Sequence, residues 1–288
     1  MSLIKRLFAN TAGKIPGAHL GRNLCLHLAP RQLGWALRQR GRIVAGSAGR
    51  IAIDNPDGHW QLPLAAFDAW LRQPGRPGAG LPLSISLASG WCRMALAPWS
   101  DALLSEPAGG RYLQSQLVAL YGESARGWSI SADDAGYGQP RLVCGVDGDF
   151  LQSLRELAGA HGLPCHAIEP LLTVAWRAIA ATKPQAFAVV EPGRLLMAAV
   201  SGGRIVALHA QACPDDWRAE LARAWQRWSL RAPELATLAR VAVVDLSGGS
   251  ADTAADAPGG ALAAPFVPAA AAMAQLGPVH LMGESAWA

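Results

Sequence analysis

The sequence predicts a mixed α/β protein built from two similar halves, and three observations point there. The order strand, strand, strand, helix, strand occurs twice, beginning near residues 23 and 186. Each copy opens with successive hairpins, and two hairpins, a helix and a returning parallel strand build a mixed sheet covered by helices. The copies share no residue-by-residue likeness. The repeat therefore lies in the order and spacing of elements, which is what a duplicated fold retains.

In the first copy, Leu24, Leu26 and Leu28 alternate with Cys25 and His27 as a strand does, and Pro30 and Gly34 mark a turn. Leu33, Trp35 and Leu37 alternate again, Gln39 to Gly41 turns, and a third strand is expected over Ile43 to Ile53. Leu64, Phe67 and Leu71 share one face of a helix over Leu62 to Leu71, and Leu83 to Leu87 is a further strand. In the second copy the strands are Ala186 to Glu191, Leu195 to Val200 and Ile205 to Ala210. Asp215 or Asp216 caps a helix to Trp228 with Leu221, Trp225 and Trp228 on one side, and Val241 to Leu246 is the fourth strand.

Extra material lies between the copies. It reads as a strand from Trp91 to Ala97, a helix over Arg111 to Tyr121 with Leu113, Leu117 and Leu120, and strands Trp128 to Ser131 and Arg141 to Val146. Helices over Asp149 to His161 and Glu169 to Ala181 follow. The expected organisation is an N-terminal arm (1–22), a first half (23–185) with an inserted subdomain at about 81–150, and a second half (186–288). In the arm, Leu3, Ile4, Leu7 and Phe8 lie on one helical face beside Lys5 and Arg6; a short amphipathic turn touching a membrane is one reading, and a frayed, solvated terminus is the plainer one.

Composition narrows the classes. Charged residues make up only 16% of the chain, yet its most apolar stretch, Ala261 to Leu276, is short and broken by Pro265 and Pro268, so a membrane span is not expected. Met1 to Gly17 has no apolar core of a secretory signal. The five cysteines form no C-x-x-C pair and suit reduced core positions in the cytoplasm. Lysine occurs only at 5, 14 and 183, and the arginine excess with abundant Ala and Gly suits a GC-rich bacterial source. Basic residues, densest at Arg31, Arg38, Arg40 and Arg42, lack the interleaved aromatics of a nucleic-acid surface, so no nucleic-acid partner is expected.

Three stretches carry a resemblance. They are Asn23 to Leu37 as a first hairpin, Pro82 to Leu87 with Met94 to Pro98 as a strand pair opening the insert, and Ala158 to Pro170 as helix end, strand and acidic turn. Together they resemble the PilM family of type IV pilus assembly proteins and the cytoplasmic domain of GspL-type secretion proteins. That resemblance implies an actin-like (ASKHA) duplicated fold covering the chain from about residue 23 onward, and a nucleotide site fed by one hairpin from each half. It places His27 where the family has an aspartate, followed by Ala29, Pro30 and Arg31. Histidine is a poor ligand for hard Mg²⁺, and proline removes a backbone donor from a phosphate cradle. The second hairpin reads Glu191, Pro192, Gly193, Arg194, again with proline in place of a donor. Only Gly248, Gly249 and Ser250, after Ser247, look like an adenosine-side glycine loop.

Catalysis, a bound cofactor and a metal are therefore not expected, with ATP and Mg²⁺ as the minority alternative. Arg31 and Arg194 could hold a phosphate by charge, although exposed turn arginines are the plainer reading. Other motifs fare worse. Ala45-Gly46-Ser47-Ala48-Gly49 lacks the first glycine of a nucleophile elbow, and Gly136-Tyr137-Gly138 precedes a strand instead of a helix. His161, Cys165 and His166 have no fourth metal ligand, and Asp133 and Asp134 lack the alternation of a Ca²⁺ loop. Trp91 and Trp99 bracket a strand at the insert and are the candidates for a partner groove.

The expected function is a cytoplasmic, non-catalytic scaffold peripherally associated with the inner membrane. It would serve a type IV pilus or type II secretion-like assembly platform. The resemblance implies a partner: the cytoplasmic tail of a single-pass pilus or secretion protein, with self-association left open. The rival is an ATP-binding actin-like switch or kinase-type enzyme.

Overall fold

The structure, a computed structural model, describes residues 21–247 except 41, 77, 181–183, 233–234, 236–237 and 239–240. The arm residues Leu3 to Phe8, the loop Gly248, Gly249 and Ser250, and Ala261 to Leu276 lie outside the described residues. The chain forms two compact units that divide between Thr173 and Val174.

The first unit holds a six-stranded sheet. Strands β1 (Arg22–Ala29) and β2 (Gln32–Gln39) form the first hairpin. The expected third strand is two short ones, β3 (Arg42–Ile43) and β4 (Gly49–Ala52), both on β2. Between them Gly46 takes a φ of 72°, and the Ser47 hydroxyl donates to the Val44 carbonyl at 2.6 Å while accepting from the Leu37 amide at 3.1 Å. A hydroxyl that satisfies the turn locally competes with a continuous ladder, which is why the strand breaks there. Gly49 also has to be glycine, because a Cβ would sit 2.4 Å from the ring of Trp35 opposite it. The Gly34 expected in a turn is instead inside β2, paired with His27, and the turn itself is Pro30–Arg31.

Helix α1 (Gln61–Leu71) follows, then β5 (Leu83–Leu87). β5 lies parallel to β1 on one side and to β9 (Cys165–Pro170) on the other, giving the order β3-β2-β1-β5-β9. So Leu83 to Leu87 belongs to the main sheet and does not pair with Met94 to Pro98 as expected. Glu169, expected at the start of a helix, is instead the penultimate residue of β9, and helix α4 (Leu171–Ile179) starts after Pro170. The even-numbered side of β1 is Leu24, Leu26 and Leu28, buried and flanked in the sheet by Leu33 of β2 and by Leu83, Ile85 and Leu87 of β5; helix α3 (Gly148–Ala160) follows β8 (Arg141–Asp147). Aromatic rings pack this layer: Trp35 against Trp70 at 4.7 Å, Phe67 against Trp70 at 6.2 Å, and Phe150 against Trp60 at 5.4 Å. Trp70 supplies the core contact expected of Leu71, which is only half-buried.

The insert is its own three-stranded antiparallel sheet. Strands β6 (Arg93–Ala97), β7 (Trp128–Ala132) and β8 (Arg141–Asp147) run in the order β6-β8-β7. Helix α2 (Ala108–Tyr121) puts Leu113 and Leu117 onto Ala95, Ala97 and Val143. Leu120, expected on that face, is 64% exposed, because the helix turns it away from so narrow a sheet.

The second unit repeats the first's strand order. Strands β10 (Ala186–Glu191), β11 (Arg194–Ser201) and β12 (Arg204–Ala212) form two hairpins; helix α5 (Trp217–Ser229) leads to β13 (Ala242–Asp245), parallel to β10. The sheet order is β12-β11-β10-β13. Asp216, not Asp215, caps α5, accepting from the Ala219 amide at 3.3 Å. Leu221, Trp225 and Trp228 are buried on Ala188, Val190, Met197 and Val243. Each unit thus has an antiparallel hairpin, a covering helix and a parallel strand added beside the first.

Candidate functional site

The residues singled out in the sequence stand at the carboxyl ends of the parallel strands, where α/β sheets carry their sites. In the first unit, β1, β5 and β9 align His27 with Ser86 and Ser86 with Glu169. All three are buried and share one face of the sheet, with Cys25 and Ser84 one step back. The His27 Nδ1 lies 3.0 Å from the Ser86 hydroxyl, which can in turn donate to the Leu26 carbonyl at 3.4 Å. Burial pushes the His27 pKa from 6.5 down to about 4, and a hydrogen bond to Ser86 opposes only part of that shift. At neutral pH position 27 therefore presents a neutral imidazole tied to a serine. Burial also raises the Cys25 thiol to about 12, which removes it as a nucleophile.

The Pro30–Arg31 turn is fastened to the rest of the unit. Asn55, 1% exposed, donates from Nδ2 to the carbonyls of Pro30 at 2.9 Å and His59 at 2.7 Å, and its Oδ1 accepts from the His59 amide at 3.0 Å. The Arg31 carbonyl accepts from the Ile53 amide at 2.9 Å. The turn is thus held by its carbonyls, and Pro30 brings no amide. The Arg31 side chain is exposed. Replacing Asn55→Ala removes three part-buried hydrogen bonds that tie the turn, so we expect a loss of about 1–2 kcal/mol, readable as a lower urea midpoint at unchanged slope.

In the second unit the turn is Pro192–Gly193, with Gly193 at a φ of 76° and its carbonyl accepting from the Cys213 amide at 3.0 Å. Glu191 ends β10, buried, and pairs across the hairpin with Arg194. Asp245 ends β13 in register with Val190. Because faces alternate along a strand, Glu191 and Asp245 point to opposite sides of the sheet and do not form a carboxylate pair. Asp245 is engaged by Ser247, accepting from its amide at 2.9 Å and from its hydroxyl at 2.6 Å. Among the described residues no three His, Cys, Asp or Glu side chains gather as a metal site.

Of the partner-groove candidates, Trp91 is packed into the first unit. Its Nε1 donates to the Gly58 carbonyl at 3.0 Å and its ring meets Phe150 edge-on at 5.1 Å. Trp99 lies on the insert and packs on Tyr137 at 4.7 Å; Tyr137 is 77% exposed. Sequence reasoning missed Asn55, Ser86, Glu169 and Tyr137. Only Asn55, in the Asp54-Asn55-Pro56 turn, carries a local signal.

With this geometry in place, solved structures give the comparison. The chain is similar to the cytoplasmic domain of EpsL, an inner membrane component of the type II secretion system of Vibrio cholerae. The two share 12% identity with a TM-score of 0.52, over 92% of this chain and 94% of that one. The fold is actin-like. It also matches the PilM–PilN type IV pilus biogenesis complex, at 11% identity and a TM-score of 0.50 over 79% of this chain and 81% of that one. A Bacteroides thetaiotaomicron protein with an actin-like ATPase fold and unknown function aligns at 11% identity and a TM-score of 0.47, over 78% and 82%. At such identities the likeness is one of fold. No protein-family model matches the sequence, and no curated protein is significantly similar to it. No helix among the described residues is long and apolar enough to cross a membrane.

Proposed function

We propose that this actin-like chain is a non-catalytic scaffold of a type IV pilus or type II secretion-like inner-membrane platform. On this reading it works on the cytoplasmic side and binds the cytoplasmic tail of a membrane partner. One observation carries it: at the end of β1 a buried, neutral His27 bonded to Ser86 stands where the resemblance calls for an aspartate. A neutral imidazole locked to a neighbouring strand supplies neither the charge nor the oxygen donors that Mg²⁺ prefers. Pro30 and Pro192 each withhold an amide from the turn that would cradle phosphate. EpsL is an inner membrane component and PilM is found in complex with PilN, which supports the choice of platform.

For the partner the insert offers an aromatic pair beside the edge strand β6, the half-buried Trp99 and the exposed Tyr137 that packs on it. An extended tail adding to such an edge would gain main-chain hydrogen bonds and place alternate side chains against the rings. Trp91, already engaged by Gly58 and Phe150, is assigned a packing role. Two measurements test the reading. Millimolar Mg-ATP should leave the melting midpoint unchanged; a rise of several degrees would favour the switch or kinase alternative. Trp99→Ala/Tyr137→Ala should weaken capture of the partner tail by about tenfold or more, while Trp91→Phe leaves it intact. Equal binding by all three proteins would sink the assignment of the aromatic pair.

A further inference from the structure

The charge of this protein is unevenly placed along the chain. Nine of its 25 Lys and Arg residues and none of its 21 Asp and Glu residues fall within the first 53 positions, which leaves 16 basic against 21 acidic residues in the remainder. So sharp an asymmetry is the mark of a segment that meets a polyanion or an anionic surface.

The fold gathers part of this charge at one corner. Arg22 opens β1 and pairs with Gln39 of β2, which pairs in turn with Arg42 of β3, so Arg22 and Arg42 flank one residue on one face. Arg40 sits at the apex of the β2–β3 turn, its amide bonded to the Gly21 carbonyl at 2.8 Å. All three arginines are exposed, and among the described residues none is in an ion pair. The corner is at the start of β1, at the opposite end of the sheet from His27 and the Pro30–Arg31 turn.

The backbone supplies a second observation. Among the described residues Arg40 is the only non-glycine with a positive φ, 50°, a conformation that glycine adopts without strain. A rule of turn chemistry is broken here in favour of a guanidinium, and such outliers cluster where a side chain has a task. The choice of ligand follows from the chain that joins this corner. Residues 1–20, immediately before Gly21, carry Lys5, Arg6 and Lys14 together with Leu3, Ile4, Leu7 and Phe8, and no carboxylate. Basic and apolar residues side by side suit a lipid surface, where the first meet headgroups and the second the acyl boundary. Nucleic acid would ask for aromatic rings free to stack, and Trp35 on this face is already engaged by Trp70, Gly49 and Arg76.

We propose that the Arg22–Arg40–Arg42 corner is a docking surface for anionic phospholipid membrane, independent of any protein tail. Flotation of the full chain with phosphatidylcholine vesicles, with and without phosphatidylglycerol, tests it. Binding is expected only with phosphatidylglycerol, falling steeply with salt. Each arginine at such a surface is worth about fivefold in affinity, so Arg22→Gln/Arg40→Gln/Arg42→Gln should weaken binding by about a hundredfold. Arg50→Gln/Arg111→Gln/Arg231→Gln, which removes equal charge from exposed arginines elsewhere, should bind as the wild type does. Arg40→Gly separates docking from folding: it should raise the melting midpoint while lowering vesicle binding. The proposal is overturned if the corner variant floats like the wild type, if the control loses as much, if phosphatidylcholine alone suffices, or if duplex DNA strips the protein from the vesicles.

Discussion

Acidification from pH 7 to about 4 should cost the folded protein about 3 kcal/mol through His27 alone. In the unfolded chain this imidazole titrates at the usual value of 6.5; in the sheet, burial lowers it to about 4. The unfolded state therefore binds the proton first. Stability from this group is complete above pH 6.5, falls as the pH drops toward 4, and levels off below it. The buried face it shares with Cys25, Ser84, Ser86 and Glu169 solvates a new charge poorly. Urea titrations from pH 7.5 to 4 should show this slope in the wild type. His27→Gln, which can keep a hydrogen bond to Ser86, should lose less stability across the same window by about 3 kcal/mol. Parallel curves for the two proteins would show that position 27 is reached by water and would remove the physical basis for calling the hairpin metal-averse.

That experiment separates two links that the sequence could only join by resemblance. The identity of residue 27 is legible in the chain; its neutrality is not, because the burial and the Ser86 hydroxyl come from β5, 59 residues away. Local features were legible for a local reason. The hairpins at 22–39 and 186–201 announce themselves through period-two alternation and turn residues that act within a few positions. The repeated strand order was therefore readable, and with it the two-unit design.

Errors arose where a partner distant in sequence decides. Glu169 reads as the start of a helix to Ala181, yet pairing with Ser86 of β5 keeps it in the strand that begins at Cys165. Leu83 to Leu87 looks like the natural partner of the next strand along, yet β1 and β9 claim both of its edges. The break between β3 and β4 depends on one hydroxyl, Ser47, returning to its own turn. The contact of Tyr137 with Trp99 was invisible because nothing in its Gly-rich loop says which tryptophan it will meet.

The second large effect should come from Phe150→Ala, at about 3–5 kcal/mol. Phe150 is 1% exposed in the first turn of α3, and the Asp147 side chain fixes that turn by accepting from its amide at 2.9 Å. Its ring lies between two indoles, stacked on Trp60 and edge-on to Trp91. Truncation would leave both without a partner and open a cavity between α3 and the loops that carry them. The Trp91 Nε1 also holds the Gly58 carbonyl, in the loop closed by Asn55 against Pro30, so the damage should spread toward the first hairpin. Hydrogen exchange should then accelerate over residues 55–59 and 88–92 while the second unit keeps its protection. If Phe150→Ala costs less than about 1 kcal/mol, Trp91 is not a structural strut, and its indole returns to the list of surfaces a partner can use.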